Sequence, residues 1–216
     1  LNTQNKKIAT DIALDIREKG RLKRDNNGNI VRGKNGVGIR VPGKIKFSKD
    51  VGWYIDEYSQ AQVSINLTNY LKSPLHKVFE EVRKGARKRG VRVTGSEIVG
   101  LVPENALLST GIFYLNKQKS PTGLTKDQLI DISIKSLGLS DIEDFIPKDK
   151  IIDNLTSKSN YYSEMKVSLL MTHISNPTPT PGGGSVSALV GALSASLASM
   201  VSNLTHNTKG FEKYRN

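Results

Sequence analysis

The stretch KIKFSKDVGWYIDEY (44–58), followed by AQVSINLT (61–68), decides the fold class. The first run is rich in β-branched and aromatic residues, and the second alternates apolar and polar side chains. Together they predict a β-hairpin over 44–57 and 61–68. Downstream, PLHKVFEEVRKGARKR (74–89) places Leu75, Val78, Phe79 and Val82 at helical spacing, with Pro74 in its first turn. VRVTGSEIVGLV (91–102) reads as a further strand, and Pro103 opens a helix over 104–116. Upstream, QNKKIATDIALDIREK (4–19) repeats isoleucine every fourth residue at Ile8, Ile12 and Ile16, and Gly20 is placed to stop that helix. Residues up to about 155 therefore predict an α+β layer, an antiparallel or mixed sheet packed by helices.

Beyond residue 155 the character changes. Pro177, Pro179 and Pro181 precede Gly182 to Gly184, and Ser185 stands as an N-cap candidate before a helix over 186–204. That helix is built almost wholly from small and apolar residues, which suits the inside of a helical bundle. It has the length of a membrane span, but its serines and Asn203 favour a tight soluble bundle. The organisation expected is an α+β unit over 1–140, a connecting segment over 141–163 and the start of an all-α bundle over 164–216.

Composition narrows the chemistry. The 216 residues contain no cysteine, which removes disulfides and thiolate metal sites and suits a reducing, cytoplasmic setting. The net charge of +12 calls for an anionic partner or a solvated basic surface. Nucleic acid is one such partner, and a basic nucleic-acid-binding module is the alternative reading. Aromatic residues make up only 6% and are nearly absent from the basic stretches, which argues against base stacking. The densest charge lies in 21–46, where Arg21, Lys23, Arg24, Arg32, Lys34, Arg40, Lys44 and Lys46 face Asp25 alone. Such a loop is either a solvated insertion or a cationic lip for a polycarboxylate. A second basic cluster, Arg83 to Arg92, sits where cations complement a helix C-terminus.

The remaining motifs carry less. TPGGGSVSALVG offers a glycine-rich turn at a helix start, but lacks the Gly-Lys-Ser/Thr that holds nucleotide phosphates. His76, His173 and His206 have no metal-ligand spacing. No Ser-His-Asp or H-E-x-x-H pattern is present, so no metal is expected.

Four strings taken in order resemble the bifunctional formimidoyltransferase–cyclodeaminase family: ALDIREKGR (13–21), VGWYIDEYSQAQVSINLTNY (51–70), PLHKVFEEVRKGARKRGVRVTGSEIVGLVPENALL (74–108) and TPGGGSVSALVGALSASLASMV (180–201). The first three resemble the C-terminal subdomain of the transferase, the last the opening of the cyclodeaminase. The resemblance implies transfer of a formimino group from formiminoglutamate to tetrahydrofolate in histidine catabolism, then ring closure with loss of ammonia. It implies a polyglutamylated folate co-substrate, no membrane or nucleic-acid partner, and a homo-oligomeric parent. Its folate contacts carry over to Arg21, Pro42, Gly43, Lys44, Ile45 and Lys46, with 22–41 as an insertion. The chain opens on Leu1 and closes shortly after a helix-like run, so a fragment is expected, with the catalytic groups of both reactions outside it.

Overall fold

The computed structural model describes residues 1–156, 162 and 164–214. Helix α1 spans Lys6–Ile16, capped by Asn5, whose side chain accepts from the Lys7 N–H. Its buried stripe is Ala9, Ile12, Ala13 and Ile16, the spacing expected from the isoleucine repeat. After the two-residue strands β1 (Arg21–Leu22) and β2 (Arg40–Val41) come β3 (Ser48–Ile55) and β4 (Gln60–Leu67). These last two form the predicted antiparallel hairpin, in register from Ser48 opposite Leu67 to Ile55 opposite Gln60. Helix α2 (Leu75–Arg87) follows, with Pro74 just outside it at the N-cap position. Helix α1 packs on the hairpin and α2 packs beside α1, around Ile12, Ile16, Ile45, Ala61, Val78 and Val82. Each buried aliphatic side chain there contributes about 1.5–3 kcal/mol.

A second core forms between α3 (Glu104–Gln118) and α4 (Lys126–Leu137), centred on Leu107, Tyr114, Ile130 and Leu137. Helix α4 starts with a full capping box, in which Thr125 and Gln128 satisfy each other's backbone N–H groups. Short helices α5 (Pro147–Lys150) and α6 (Ile152–Thr156) close this core through the buried Ile151. The expected strand over 91–102 is not one. Residues 91–101 run without a ladder, and only Val102 makes a bridge, parallel to Ile151. The residues have high β-propensity, but a strand exists only when a neighbour supplies its hydrogen bonds.

Glu80 on α2 joins the two cores. It accepts from Arg83 (2.7 Å), Lys117 (2.8 Å) and the Tyr114 hydroxyl (3.1 Å). Burial works against its charge, but the hydrogen bonds from Lys117, Arg83 and Tyr114 outweigh it and hold its carboxyl below the usual range. We expect Glu80→Gln to cost about 1.5 kcal/mol in urea unfolding, the lower end for hydrogen bonds to a charged group. A group with a lowered folded pKa stabilises above its unfolded value, 4.5, and loses that contribution as pH falls through its folded value. The cost should therefore be full at pH 7 and fade in acid; a pH-independent cost would contradict the assignment.

Residues 22–40 are not a structureless loop. They contain an eight-residue repeat: Arg24, Arg32 and Arg40 in one phase, Gly28 and Gly36 in another. Three antiparallel pairs form, Leu22 with Arg40, Arg24 with Ile30 and Arg32 with Gly38. Three residues eight apart then close a ring of backbone bonds: Val31 N–H donates to Lys23 O (2.9 Å), Ile39 N–H to Val31 O (2.8 Å) and Lys23 N–H to Ile39 O (2.7 Å). The segment is a three-armed β knot with pseudo-threefold symmetry. Leu22 and Ile30 meet at its axis, and Gly38 takes the third position because a Cβ there would lie 2.7 Å from Leu22 Cδ2. Turns at Gly28 and Gly36 use positive φ, and the Arg24 and Arg32 guanidinium groups donate to the Gly28 and Gly36 carbonyls.

The C-terminal part contains α7 (Val167–Ser175) and α8 (Gly183–Thr205). Gly182, not Ser185, takes the N-cap position of α8. The predicted helix 186–204 is present, with its apolar side chains exposed among the described residues. Leu189, Val190, Leu193, Leu197, Met200, Val201 and Leu204 are 39% to 71% exposed. By length and composition α8 is also apolar enough to cross a membrane. It touches the α+β part where Ser199 and Asn203 donate to the Gly123 carbonyl, at 2.8 and 3.1 Å. Of the expected connecting segment 141–163, residues 157–161 and 163 lie outside the described residues.

Candidate functional site

The residues singled out from sequence gather around the C-terminal turn of α1. A helix leaves its last carbonyls without intrahelical partners. Here the chain returns from the β knot and supplies them: Lys44 N–H donates to Asp15 O (3.2 Å) and Ile45 N–H to Ile16 O (2.8 Å). Pro42 is exposed at the start of this return. Gly43 lies flat on the helix end, where a Cβ would fall 1.9 Å from Arg17 O. Ile45 is fully buried and belongs to the first core, so its side chain packs instead of facing a ligand. Lys46 is exposed, while its carbonyl accepts from Ser73 Oγ at 2.6 Å. Lys44 reaches Glu81 on α2 (3.0 Å).

Arg21 stands across the ladder from Val41, one residue before Pro42. Its guanidinium is held by Asp15 at 2.7 Å and Asp11 at 3.6 Å, and it donates to Asp11 O at 2.7 Å. Arg89, just past the end of α2, shares Asp15. Arg21 is thus a clamp between the helix and the knot, with its charge largely answered. Between them opens a hollow of about 580 Å³ lined by Lys7, Arg17, Arg21, Lys23, Arg24 and Arg40 against one carboxylate, Asp11. Six cations against one acid make it electropositive, a setting that concentrates an anionic ligand.

Sequence reading passed over Asp50. It lies on β3 with only 2% exposure. Ser48 Oγ donates to its Oδ2 (3.3 Å), and its Oδ1 has no hydrogen-bond partner among the described residues. Burial pushes its carboxyl up to about 6, against smaller opposing effects of the Ser48 hydrogen bond and the Arg17 charge. The signal was present in the strand alternation. Ser48 and Asp50 take the inward positions of β3, whereas Val51 and Trp53 are turned out, 45% and 50% exposed.

The histidines stand apart from this site. His76 stacks on Phe113 at 4.1 Å in the seam between α2 and α3, with Nδ1 3.4 Å from Thr110 Oγ1. Burial lowers its pKa, with the Glu80 charge raising it in part and Lys77 lowering it. His173 ends α7, and His206 follows α8 with Nε2 3.3 Å from Lys119 O. No cluster of potential metal ligands occurs among the described residues.

Residues 1–157 match the formiminotransferase domain family, and residues 166–216 match the formiminotransferase-cyclodeaminase family. The chain belongs to the formiminotransferase domain family. The formimidoyltransferase-cyclodeaminase of Dictyostelium discoideum is 38% identical over 96% of the chain, covering 36% of that relative. That of Mus musculus is also 38% identical, over 96% of the chain and 36% of its own length. The glutamate formimidoyltransferase of Thermoplasma acidophilum is 36% identical over 53% of the chain and 31% of its own length. The chain thus spans about a third of the length of the curated relatives it matches.

Proposed function

We propose that this chain forms one wall of the folate site of a glutamate formimidoyltransferase. In the parent protein a formimino group passes from formiminoglutamate to tetrahydrofolate, and a fused cyclodeaminase then closes the ring with release of ammonia. The observation that carries the reading is the electropositive surface at the end of α1. The hollow with six cations reaches Val41, the residue before Pro42, and the names of the relatives point to formimino transfer. Folate ends in glutamate, so its tail is a polyanion of the charge this surface attracts. A polyglutamylated tail suits it better than a single glutamate. Within the lip, Lys46 presents its ammonium to solvent and makes no ion pair among the described residues, whereas Lys44 must share with Glu81. Gly43 and Ile45 shape the lip; Lys46, then Lys44, contact the ligand.

The groups that move the formimino unit and its protons belong to the remainder of the parent, as does most of the cyclodeaminase. The exposed apolar stripe of α8 supports a parent that completes a helical bundle and assembles as a homo-oligomer. Absence of cysteine is in keeping with a cytoplasmic enzyme. No observation favours a nucleic-acid ligand.

Polyglutamyl folate binding to the full-length parent tests the lip. Lys44→Ala with Lys46→Ala should weaken binding roughly tenfold at low salt, about 0.7 kcal/mol for each exposed charge contact. The loss should shrink as ionic strength rises and should be smaller for monoglutamyl folate. Equal affinity of wild type and double variant for the polyglutamyl ligand would remove the lip from the folate site.

A further inference from the structure

Asn27 and Asn35 are the only asparagines in the chain that are followed by glycine. They hold the same phase of the eight-residue repeat, and each stands at the tip of one arm of the β knot. The two tips are built alike. Asp25 N–H donates to Asn29 O (2.9 Å) in the first arm, and Gly33 N–H to Val37 O (2.8 Å) in the second. Inside each, the glycine after the asparagine closes a turn, Gly28 N–H to Asp25 O (3.0 Å) and Gly36 N–H to Gly33 O (2.9 Å). Both glycines have positive φ, and a Cβ on either would meet nothing within 4 Å. They serve the turn and not packing, and residues 25–29 and 34–37 stand open to water.

The arms differ in how the N–H of the residue two past the asparagine is satisfied. In the second arm Asn35 does it: its Oδ1 accepts from Val37 N–H (3.2 Å). In the first arm the equivalent N–H, that of Asn29, is taken by Asp25 Oδ1 (2.8 Å), which also accepts from Asn27 N–H (2.9 Å). The residue that corresponds to Asp25 in the second arm is Gly33, which has no side chain to offer. Asn35 is therefore tethered, whereas the Asn27 amide makes no hydrogen bond among the described residues.

We propose that Asn27 is a site of spontaneous covalent modification, converted to aspartate and isoaspartate through a cyclic imide with Gly28. The Gly28 nitrogen bonds to Asn27 Cγ, the Cγ–Nδ2 bond breaks, and the hydrogen from the Gly28 N–H leaves with the amide nitrogen as ammonia. Water then opens either ring carbonyl–nitrogen bond, giving aspartate by one route and isoaspartate by the other. Glycine on the attacking side matters because a Cβ there would hinder the approach. In the folded chain the attack needs the bond from Gly28 N–H to Asp25 O to open, a local event at an exposed turn. The unattached Asn27 amide is then free to meet the nitrogen, whereas Asn35 must first leave Val37. Each conversion takes one unit from the net charge of +12. It places a carboxylate beside Gly28, whose carbonyl accepts from Arg24, one of the cations of the hollow. A weaker hold on an anion there is a consequence that rests on the folate reading; the modification itself does not.

Peptide mapping by mass spectrometry, after incubation of the unaltered chain at neutral pH, reads both sites. Asn27 should exchange its amide nitrogen for oxygen, with isoaspartate among the products, about fivefold faster than Asn35, the factor that one ordinary hydrogen bond supplies. In urea the two sites should react at similar rates, because the tether is lost with the fold. Gly33→Asp copies the arrangement of the first arm into the second and should raise the Asn35 rate toward that of Asn27. Equal rates in the folded chain, or a faster Asn35, would overturn the proposal. A difference that persists in urea would also overturn it, by tracing the preference to neighbouring sequence instead of the knot. So would an Asn35 rate unmoved by Gly33→Asp, or a folded chain that forms no product while the unfolded chain does. Folate does not enter this readout, so the modification and the lip succeed or fail separately.

Discussion

Gly43→Ala is expected to lower the unfolding free energy by about 3 kcal/mol, the upper range for inserting a methyl group where none fits. The new Cβ would lie 1.9 Å from Arg17 O and 2.8 Å from the carbonyl carbons of Ile16 and Arg17. All three are backbone atoms at a helix end, so no rotamer change makes room. Relief requires the segment to lift from α1, which breaks the bonds from Lys44 N–H to Asp15 O and from Ile45 N–H to Ile16 O. Lifting also draws the fully buried Ile45 out of the core. Urea unfolding reads the cost directly. An unchanged midpoint would mean that 42–46 is not docked on α1, and the lip would lose its rigid support. The same variant bears on the folate proposal: Gly43→Ala should weaken binding by misplacing Lys44 and Lys46, whereas removing the lysines should leave stability almost unaltered.

The second large effect concerns Asp50. Its folded carboxyl stands at about 6 against 3.8 in the unfolded chain. The fold therefore favours the protonated form. Stability from this residue is greatest below 3.8, falls as pH climbs toward 6 and is flat above. Over that interval the change is on the order of 3 kcal/mol, at 1.36 kcal/mol per pKa unit. Asp50→Asn keeps the shape and removes the titration. The variant should match wild type near pH 4 and exceed it by up to about 3 kcal/mol at pH 8. The difference between the two stability profiles cancels the other titrating groups. A flat difference across pH 4 to 8 would show that Asp50 is solvated, contrary to its buried position. A carboxyl held this way, unsatisfied and adjacent to the lip, marks a point where local stability has been given up.

Much of the fold was legible in the chain. Ile8, Ile12 and Ile16 gave α1, the alternation in AQVSINLT gave β4, and Leu75 to Val82 gave the face of α2, each within a few residues of its observed limits. The knot at 22–40 was also written there, as arginine and glycine at eight-residue spacing, but a reading that looks for helical or strand periods passes over it. The candidate site was legible only in part. The charge density of 21–46 and the family strings pointed to one segment, but not to the different roles within it. Ile45 proved to be core, Arg21 a clamp and Gly43 a packing glycine, while Asp50 was missed because a carboxylate in a strand is ordinarily taken to face water.

What the amino-acid sequence determined by itself is the set of local elements and the family, because side-chain period, caps and turn residues act over a few neighbouring positions. Tertiary structure alone decided which elements find partners. Residues 91–101 have the side chains of a strand and remain unladdered, and α8 has those of a buried helix and lies exposed. In both, the deciding interaction is with a surface distant in sequence: backbone hydrogen bonds in the first, apolar burial in the second. Local propensity, worth tenths of a kcal/mol per residue, cannot supply either.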